Sequence, residues 1–290
     1  NMHPIQFVLE KEQRIIDRAP FRHLKITSAN ILDTVEGREV CKQCYKSRKF
    51  FCYSCYLPVI SEKYFPKLKL PIKIDIIKHA REIDGKSTAI HAAILAPEDV
   101  QIYTYPDFPE ISNKEETVLI FPGHSAMMVD ALYAKLVKED NDIVPNRTNH
   151  TLPIKRAIFV DSTWHQTKAI YKDQRLRELQ CVILKSRISQ FWRHQKKSPR
   201  WYLATIEAIH QFLVELHTCA FGIVQEYASI EDYERKENDA TDQHSNELSK
   251  MDQSYRGQYD DLLYFFKYMY EKIHTMYDHD KLWAYKRPLI

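Results

Sequence analysis

Four cysteines stand close together as Cys41-x2-Cys44-x7-Cys52-x2-Cys55. Two thiolates at that spacing grip one metal ion from a tight turn. Two such hooks complete the tetrahedral sulfur shell that zinc takes. Four protein ligands leave no position for water or substrate, so the expected metal is structural. The clustering also suits a reducing compartment better than a secreted disulfide framework. Lys42, Lys46, Arg48 and Lys49 alternate here with Tyr45, Phe50, Phe51 and Tyr53. Charge and stacking surfaces on a rigid knuckle suit single-stranded RNA. The plain alternative is a zinc staple whose lysines face water. Cys181 and Cys219 fall in apolar patterns and read as inert core thiols.

A second chemical cluster begins at Ala157-Ile158-Phe159-Val160-Asp161-Ser162-Thr163-Trp164. Four apolar residues run into an acid, two hydroxyls and a tryptophan, and Trp164, Lys168 and Tyr171 then recur at helical spacing. The pattern predicts a buried strand, a polar turn and a helix. Ligands collect at such carboxyl ends in open α/β sheets, although the local pattern alone favours Asp161 or Ser162 simply capping the helix. Phe121-Pro122-Gly123 makes another strand-to-helix turn where backbone amides can approach a ligand. Lys86 precedes Ser87 and Thr88, either of which can cap a helix running to Leu95. Lys185, Arg187, Arg193, His194, Lys196, Lys197 and Arg200 are interspersed with Phe191, Trp192 and Trp201, the composition of a nucleic-acid groove. Thr205 reads as the N-cap of a helix carrying Ile206, Ile209, Leu213 and Leu216, with Glu207 in its first turn.

The elements that must position these residues alternate. Strands are expected at 72–77, 100–103, 117–121, 157–160 and 180–184, and helices at 88–95, 127–138 and from 203. A further helix over 259–277 carries Leu262, Phe266, Met269, Ile273 and Met276. Residues 139–155 read as a polar loop and 229–254 as a charged insertion or exposed helix. Strands alternating with helices predict an α/β sheet. The chain divides into a peripheral helix and linker (1–36), the knuckle (37–58), a main α/β domain (59–228) and a charged segment with a docking helix (229–290). Only 5 glycines occur, and no Gly-rich phosphate loop is present. The absence of a long apolar run and of a hydrophobic signal core predicts a soluble, intracellular protein with no membrane association. A net charge of +3 matters less than the local gathering of its basic residues.

Val160-Asp161-Ser162-Thr163-Trp164, Phe121-Pro122-Gly123, the His79…Lys86-Ser87-Thr88 loop and Ala204-Thr205-Ile206-Glu207-Ala208 together resemble the DTW-domain family, in the family's order and after a four-cysteine knuckle. The resemblance runs from about Cys41 to about Leu216. It is nearest to the nuclear eukaryotic branch, through Lys73-Ile74-Asp75-Ile76-Ile77-Lys78-His79 and Phe191-Trp192-Arg193-His194-Gln195-Lys196. Two features depart: Ala204 stands where the family usually has serine, and 229–254 is longer than the equivalent in relatives.

The resemblance implies a SPOUT-like sheet with flanking helices, a fold that admits a knotted chain. It implies transfer of the 3-amino-3-carboxypropyl group of S-adenosylmethionine to N3 of a tRNA uridine, expected in the D-loop, with release of methylthioadenosine. Asp161 would be the base or orient the uracil, with Thr163 and Trp164 shaping its pocket. Phe121, Pro122, Gly123, Asp161, Ser162, Leu184, Leu203, Ala204, Thr205, Ile206 and Glu207 would hold the cofactor. Lys86, Arg193, His194, Lys196, Lys197 and Arg200 would meet tRNA, and the nucleus is the implied compartment. No obligate protein partner is implied. Two other readings stay open: a SPOUT-type RNA methyltransferase, and a non-catalytic zinc-containing RNA-binding protein.

Overall fold

The structure, a computed structural model, describes residues 19–143, 152–195, 198–225, 227 and 253–287. Six strands form one sheet: β1 (Lys73–Lys78), β2 (Val100–Thr104), β3 (Thr117–Ile120), β4 (Met127–Met128), β5 (Arg156–Asp161) and β6 (Gln180–Ile183). Their spatial order is β2-β1-β5-β3-β6-β4, and every pairing is parallel. All carboxyl ends therefore meet at one edge, which is the place such sheets offer to ligands. β1 and β5 pair from Lys73↔Arg156 to Lys78↔Asp161, so Lys78 and Asp161 lie side by side at that edge.

Helices cover both faces, as a parallel sheet requires. Ile74, Ile76, Val118, Ala157, Phe159 and Val182 alternate onto the thicker side. There they meet α1 (Ala89–Leu95), α2 (Val129–Ile143), α5 (Thr205–Phe221) and α6 (Tyr264–Met276). Ile77, Leu119, Ile158 and Cys181 face the other way, against Ile170 of α3 (Trp164–Tyr171) and Leu176 of α4 (Gln174–Arg177). Among the described residues no helix is long and apolar enough to cross a membrane.

Several boundaries move. The strand expected at 72–77 runs one residue later, over Lys73–Lys78, and lies inside the sheet. Its Asp75, 3% exposed, is buried because Arg156 of the neighbouring strand pairs with it. The helix expected at 127–138 follows a short edge strand and continues to Ile143, into the stretch read as loop. Over 259–277 the chain first makes a 3-10 turn, Asp260–Leu263, and Met276 at the end of the expected stripe is exposed. The buried face of α6 is aromatic instead: Tyr264, Phe265, Phe266, Tyr268 and Tyr270. It docks on the knuckle, with Phe265 centred 5.0 Å from Phe51 and 6.4 Å from Phe50. The helical pattern through Phe7, Ile15 and Ile16 lies outside the described residues, as does the charged stretch up to residue 252.

His91 of α1 is enclosed between Phe51 and Phe265, with ring centroids at 5.7 and 6.0 Å. Burial drives its pKa from 6.5 down to about 3, so the folded ring stays neutral. A group depressed on folding contributes stability above its unfolded value and loses it as the pH falls. Lowering the pH from about 7.5 to about 5 should cost the fold roughly 2 kcal/mol through His91. Denaturant unfolding should show that acid loss shrinking by a similar amount in His91→Leu; an unchanged loss would contradict the assignment.

Candidate active site and metal centre

Asp161 ends β5 and is 8% exposed. Ser87 Oγ donates to its Oδ2 at 2.5 Å, and Thr205 Oγ1 donates to its Oδ1 at 2.6 Å. Ser87 stands just before α1, and Thr205 opens α5. A second tie joins the same two segments: Ile206 N donates to Thr88 Oγ1 at 3.1 Å. Burial pushes the Asp161 carboxyl above its ordinary range. The two hydroxyls and the Lys78 ammonium pull the other way without cancelling it. Lys78, also buried, is ion-paired with Asp84. Burial opposes its charge, but Asp84 and Tyr56 outweigh that and hold its pKa raised. Glu82 is half-buried, and burial, reinforced by the Asp161 charge, raises its carboxyl as well. A carboxylate with raised basicity and fixed donors can take a proton from a bound substrate.

The helix-cap reading belongs to Thr163, not Asp161. Thr163 is the N-cap of α3, and its N–H donates to Gln166 Oε1 at 3.0 Å. Ser162 is half-buried and shares a 2.7 Å hydrogen bond with Thr167. Trp164 begins α3, and its side chain lies outside the described residues. Thr205 is the first residue of α5 rather than its cap. Ala204 holds the cap position, which leaves the Thr205 hydroxyl for Asp161. Because Ala204 has no hydroxyl, the turn is closed by Glu207, whose carboxylate accepts from Ala204 N at 2.8 Å. Glu207 also accepts from Ser189 Oγ at 2.6 Å and Gln190 N at 2.8 Å. It is wholly buried, so it holds the 189–190 loop instead of facing the edge.

The remaining cofactor candidates converge on the carboxyl edge. Phe121 N donates to Val182 O at 3.1 Å, and Phe121 stacks on Tyr171 with centroids at 4.1 Å. A Cβ on Gly123 would lie 2.6 Å from Cys181 Sγ and 2.7 Å from the Tyr171 hydroxyl, so only glycine fits. Pro122 is exposed, Leu184 and Leu203 are half-buried and Ile206 is buried. Leu203 and Ala204 reach the edge through the Thr205–Asp161 bond.

The basic candidates separate. Lys86, Arg193 and His194 are exposed, and Arg193 Nη2 donates to Gly85 O at 3.4 Å. Lys196 and Lys197 lie outside the described residues. Arg200 corrects the sequence reading: it is 0% exposed, donates to Ser189 O at 3.3 Å and stacks over Tyr285 at 4.8 Å. It braces the loop from inside and offers no charge to RNA phosphates. Its position beside Trp201 in a basic run hid that role.

Cys41, Cys44, Cys52 and Cys55 place their sulfurs within 4.8 Å of one another. Tetrahedral zinc, with Zn–S near 2.3 Å, needs sulfurs about 3.8 Å apart, so the four fit one ion. Burial opposes ionisation of Cys52, but Arg48 and the amides of Ser54 and Cys55 draw its pKa down to about 6. Burial and the three neighbouring sulfurs push Cys55 up to about 12. The two hooks repeat: Tyr45 N donates to Cys41 O and Tyr56 N to Cys52 O, each at 2.8 Å. Both tyrosines have positive φ, 58° and 59°. The Cys-x2-Cys-Tyr repeat is present in the sequence, although spacing alone did not single it out. Ser87, Lys78 and Glu82 did not stand out as partners of Asp161, because only spatial register brings them there.

The DTW-domain family profile matches residues 49–274, taking in the second cysteine hook but not the first. The chain is similar to the tRNA-uridine aminocarboxypropyltransferase 1 of Mus musculus, with 39% identity covering 89% of this chain and 85% of that protein. The Homo sapiens protein of the same name is 38% identical, covering 92% and 89%. The Xenopus tropicalis protein is 38% identical, covering 87% and 85%. No solved structure matches the chain.

The purified protein should carry about one zinc per chain by elemental analysis. Cys44→Ser should lose it and unfold at a lower temperature; a metal-poor variant with unchanged melting would contradict a structural zinc.

Proposed function

Because this chain belongs to the DTW-domain family, we propose that it is a tRNA-uridine aminocarboxypropyltransferase. The observation that carries the reading is the buried Asp161 carboxylate at the carboxyl edge, fixed by Ser87 and Thr205 inside the Asp-x-Thr-Trp signature. S-adenosylmethionine supplies an activated carbon, since its sulfur departs as a neutral thioether. A C–N bond forms at uridine N3 as the C–S bond breaks, and sulfur keeps the electron pair in methylthioadenosine. The N3 proton passes to Asp161. A carboxylate more basic than usual suits that proton, and its two hydroxyl donors hold it in one orientation. Most of the acceleration comes from aligning N3 with the carbon–sulfur bond, which is a matter of rigid walls. Phe121–Gly123, Leu184 and Leu203–Thr205 are those walls on the donor's side. Thr163 borders the uracil, and Lys86, Arg193 and His194 face the RNA.

We further read the parallel sheet as SPOUT-like and the D-loop as the target region, both on family resemblance. Nuclear residence rests on the same footing. Zinc is assigned to the four cysteines as a structural ion.

Incubation with unmodified tRNA and S-adenosylmethionine should release methylthioadenosine and add the aminocarboxypropyl group to uridine, as read by nucleoside mass spectrometry. Adenosylhomocysteine would mark a methyltransferase instead, and tRNA binding with no donor binding would mark a non-catalytic RNA-binding protein. Asp161→Ala should lose at least about 100-fold in rate while tRNA affinity changes less than about threefold.

A further inference from the structure

A cavity of about 200 Å³ opens between the knuckle and the Gly85–Thr88 loop. Arg38, Arg48, Lys49, Lys86 and Arg193 line it, drawn from four separate parts of the chain. Asp84 is the acid among the lining residues, and Lys78 already pairs with it. Arg48 is buried and committed to Tyr53 and Ser54. The other four cations are exposed. Among the described residues none of those four has a carboxylate oxygen within 4.0 Å. Among the described residues Arg38 bonds the neutral Ser47 hydroxyl and carbonyl, and Arg193 the Gly85 carbonyl. Like charges gathered at one opening repel, so the arrangement stores attraction for an anion.

The walls say which anion. Tyr53 and Trp192 line the cavity and are half-buried. On the inner side lies His91, 2% exposed, whose Nδ1 has no hydrogen-bond partner among the described residues. Aromatic walls under a cationic rim match one unstacked nucleotide, its base held by stacking and its phosphates by charge. The volume equals roughly seven waters at about 30 Å³ each, enough for one base and far too little for a duplex groove. Ser87 is shared: it lines this cavity and donates to Asp161. An occupant therefore sits one side chain away from the carboxylate.

We infer that this cavity seats a single-stranded nucleotide of the RNA substrate next to the uridine being modified, making the knuckle one wall of the RNA site. The inference rests on the proposed function and adds to it a subsite and two cations from the N-terminal side, Arg38 and Lys49.

The test is tRNA binding by the full chain across a salt series. The triple variant Arg38→Ala/Lys49→Ala/Arg193→Ala should bind at least about tenfold more weakly. Its slope of log K against log salt should fall by about 2, near 0.7 for each single-strand phosphate that is no longer neutralised. A control of equal charge change, Lys67→Ala/Lys114→Ala/Lys135→Ala, should stay within about twofold. Zinc content and melting temperature report whether each variant folds. Ultraviolet crosslinking of the unaltered protein to tRNA needs no variant, and its crosslinked peptide should contain Tyr53 or Trp192. Equal losses in the two triple variants, or crosslinks only elsewhere, would overturn the subsite while leaving the transferase reading intact. An unaltered protein that neither binds nor modifies tRNA would overturn the transferase reading itself.

Discussion

A buried carboxylate with two hydroxyl donors is the constraint on which this structure turns. Asp161 sits at the end of a central parallel strand, where a charge is costly unless its lone pairs are occupied. Ser87 and Thr205 occupy them, and each opens or precedes a helix on the thick side of the sheet. The acid therefore fixes the mutual placement of β5, α1 and α5. The same bonds that satisfy it aim it, while burial keeps its proton affinity above that of a carboxylate in water. In the proposed reaction function and folding use one interaction, and neither the loop before α1 nor the start of α5 can shift without disturbing it.

Around that point the chain is braced in successive shells. Glu207 and Arg200 lock the loop leading into α5 from within. The aromatic face of α6 joins the knuckle to α1 through Phe50, Phe51 and His91. Lys78 pairs with Asp84, and Asp84 accepts from Ser54 of the second cysteine hook at 3.2 Å. The four-cysteine cluster is consequently tied to the carboxyl edge through a short chain of side chains, although a zinc held by four sulfurs would keep no open position for chemistry.

What the sequence disclosed follows from the range of each interaction. Strand and helix identities, the cysteine hooks and the Asp161 turn are written in local pattern, and they match the sheet edge and the sulfur cluster. Misreadings arose where a distant partner overrides local grammar. Thr205 has the residue type of a cap, yet its hydroxyl is taken by Asp161 and Ala204 stands at the cap. Arg200 sits in a basic run, yet Tyr285 draws it inside. The partners of Asp161 were illegible for the same reason: only the β1–β5 register and helix packing bring Lys78, Ser87 and Thr205 to it.

In the proposed reaction Asp161 takes the proton, with a basicity that burial raises and the two hydroxyls moderate. The decisive measurement is the pH dependence of kcat/KM for aminocarboxypropyl transfer, compared among the unaltered protein, Ser87→Ala and Thr205→Val. Hydroxyl donors favour the charged carboxylate, so removing either one should raise its pKa. The acidic limb of the profile should therefore begin above the ordinary carboxylate range and move to higher pH in both variants. A limb that stays in place while the rate falls would contradict the account, leaving Ser87 and Thr205 as structural ties and the base elsewhere.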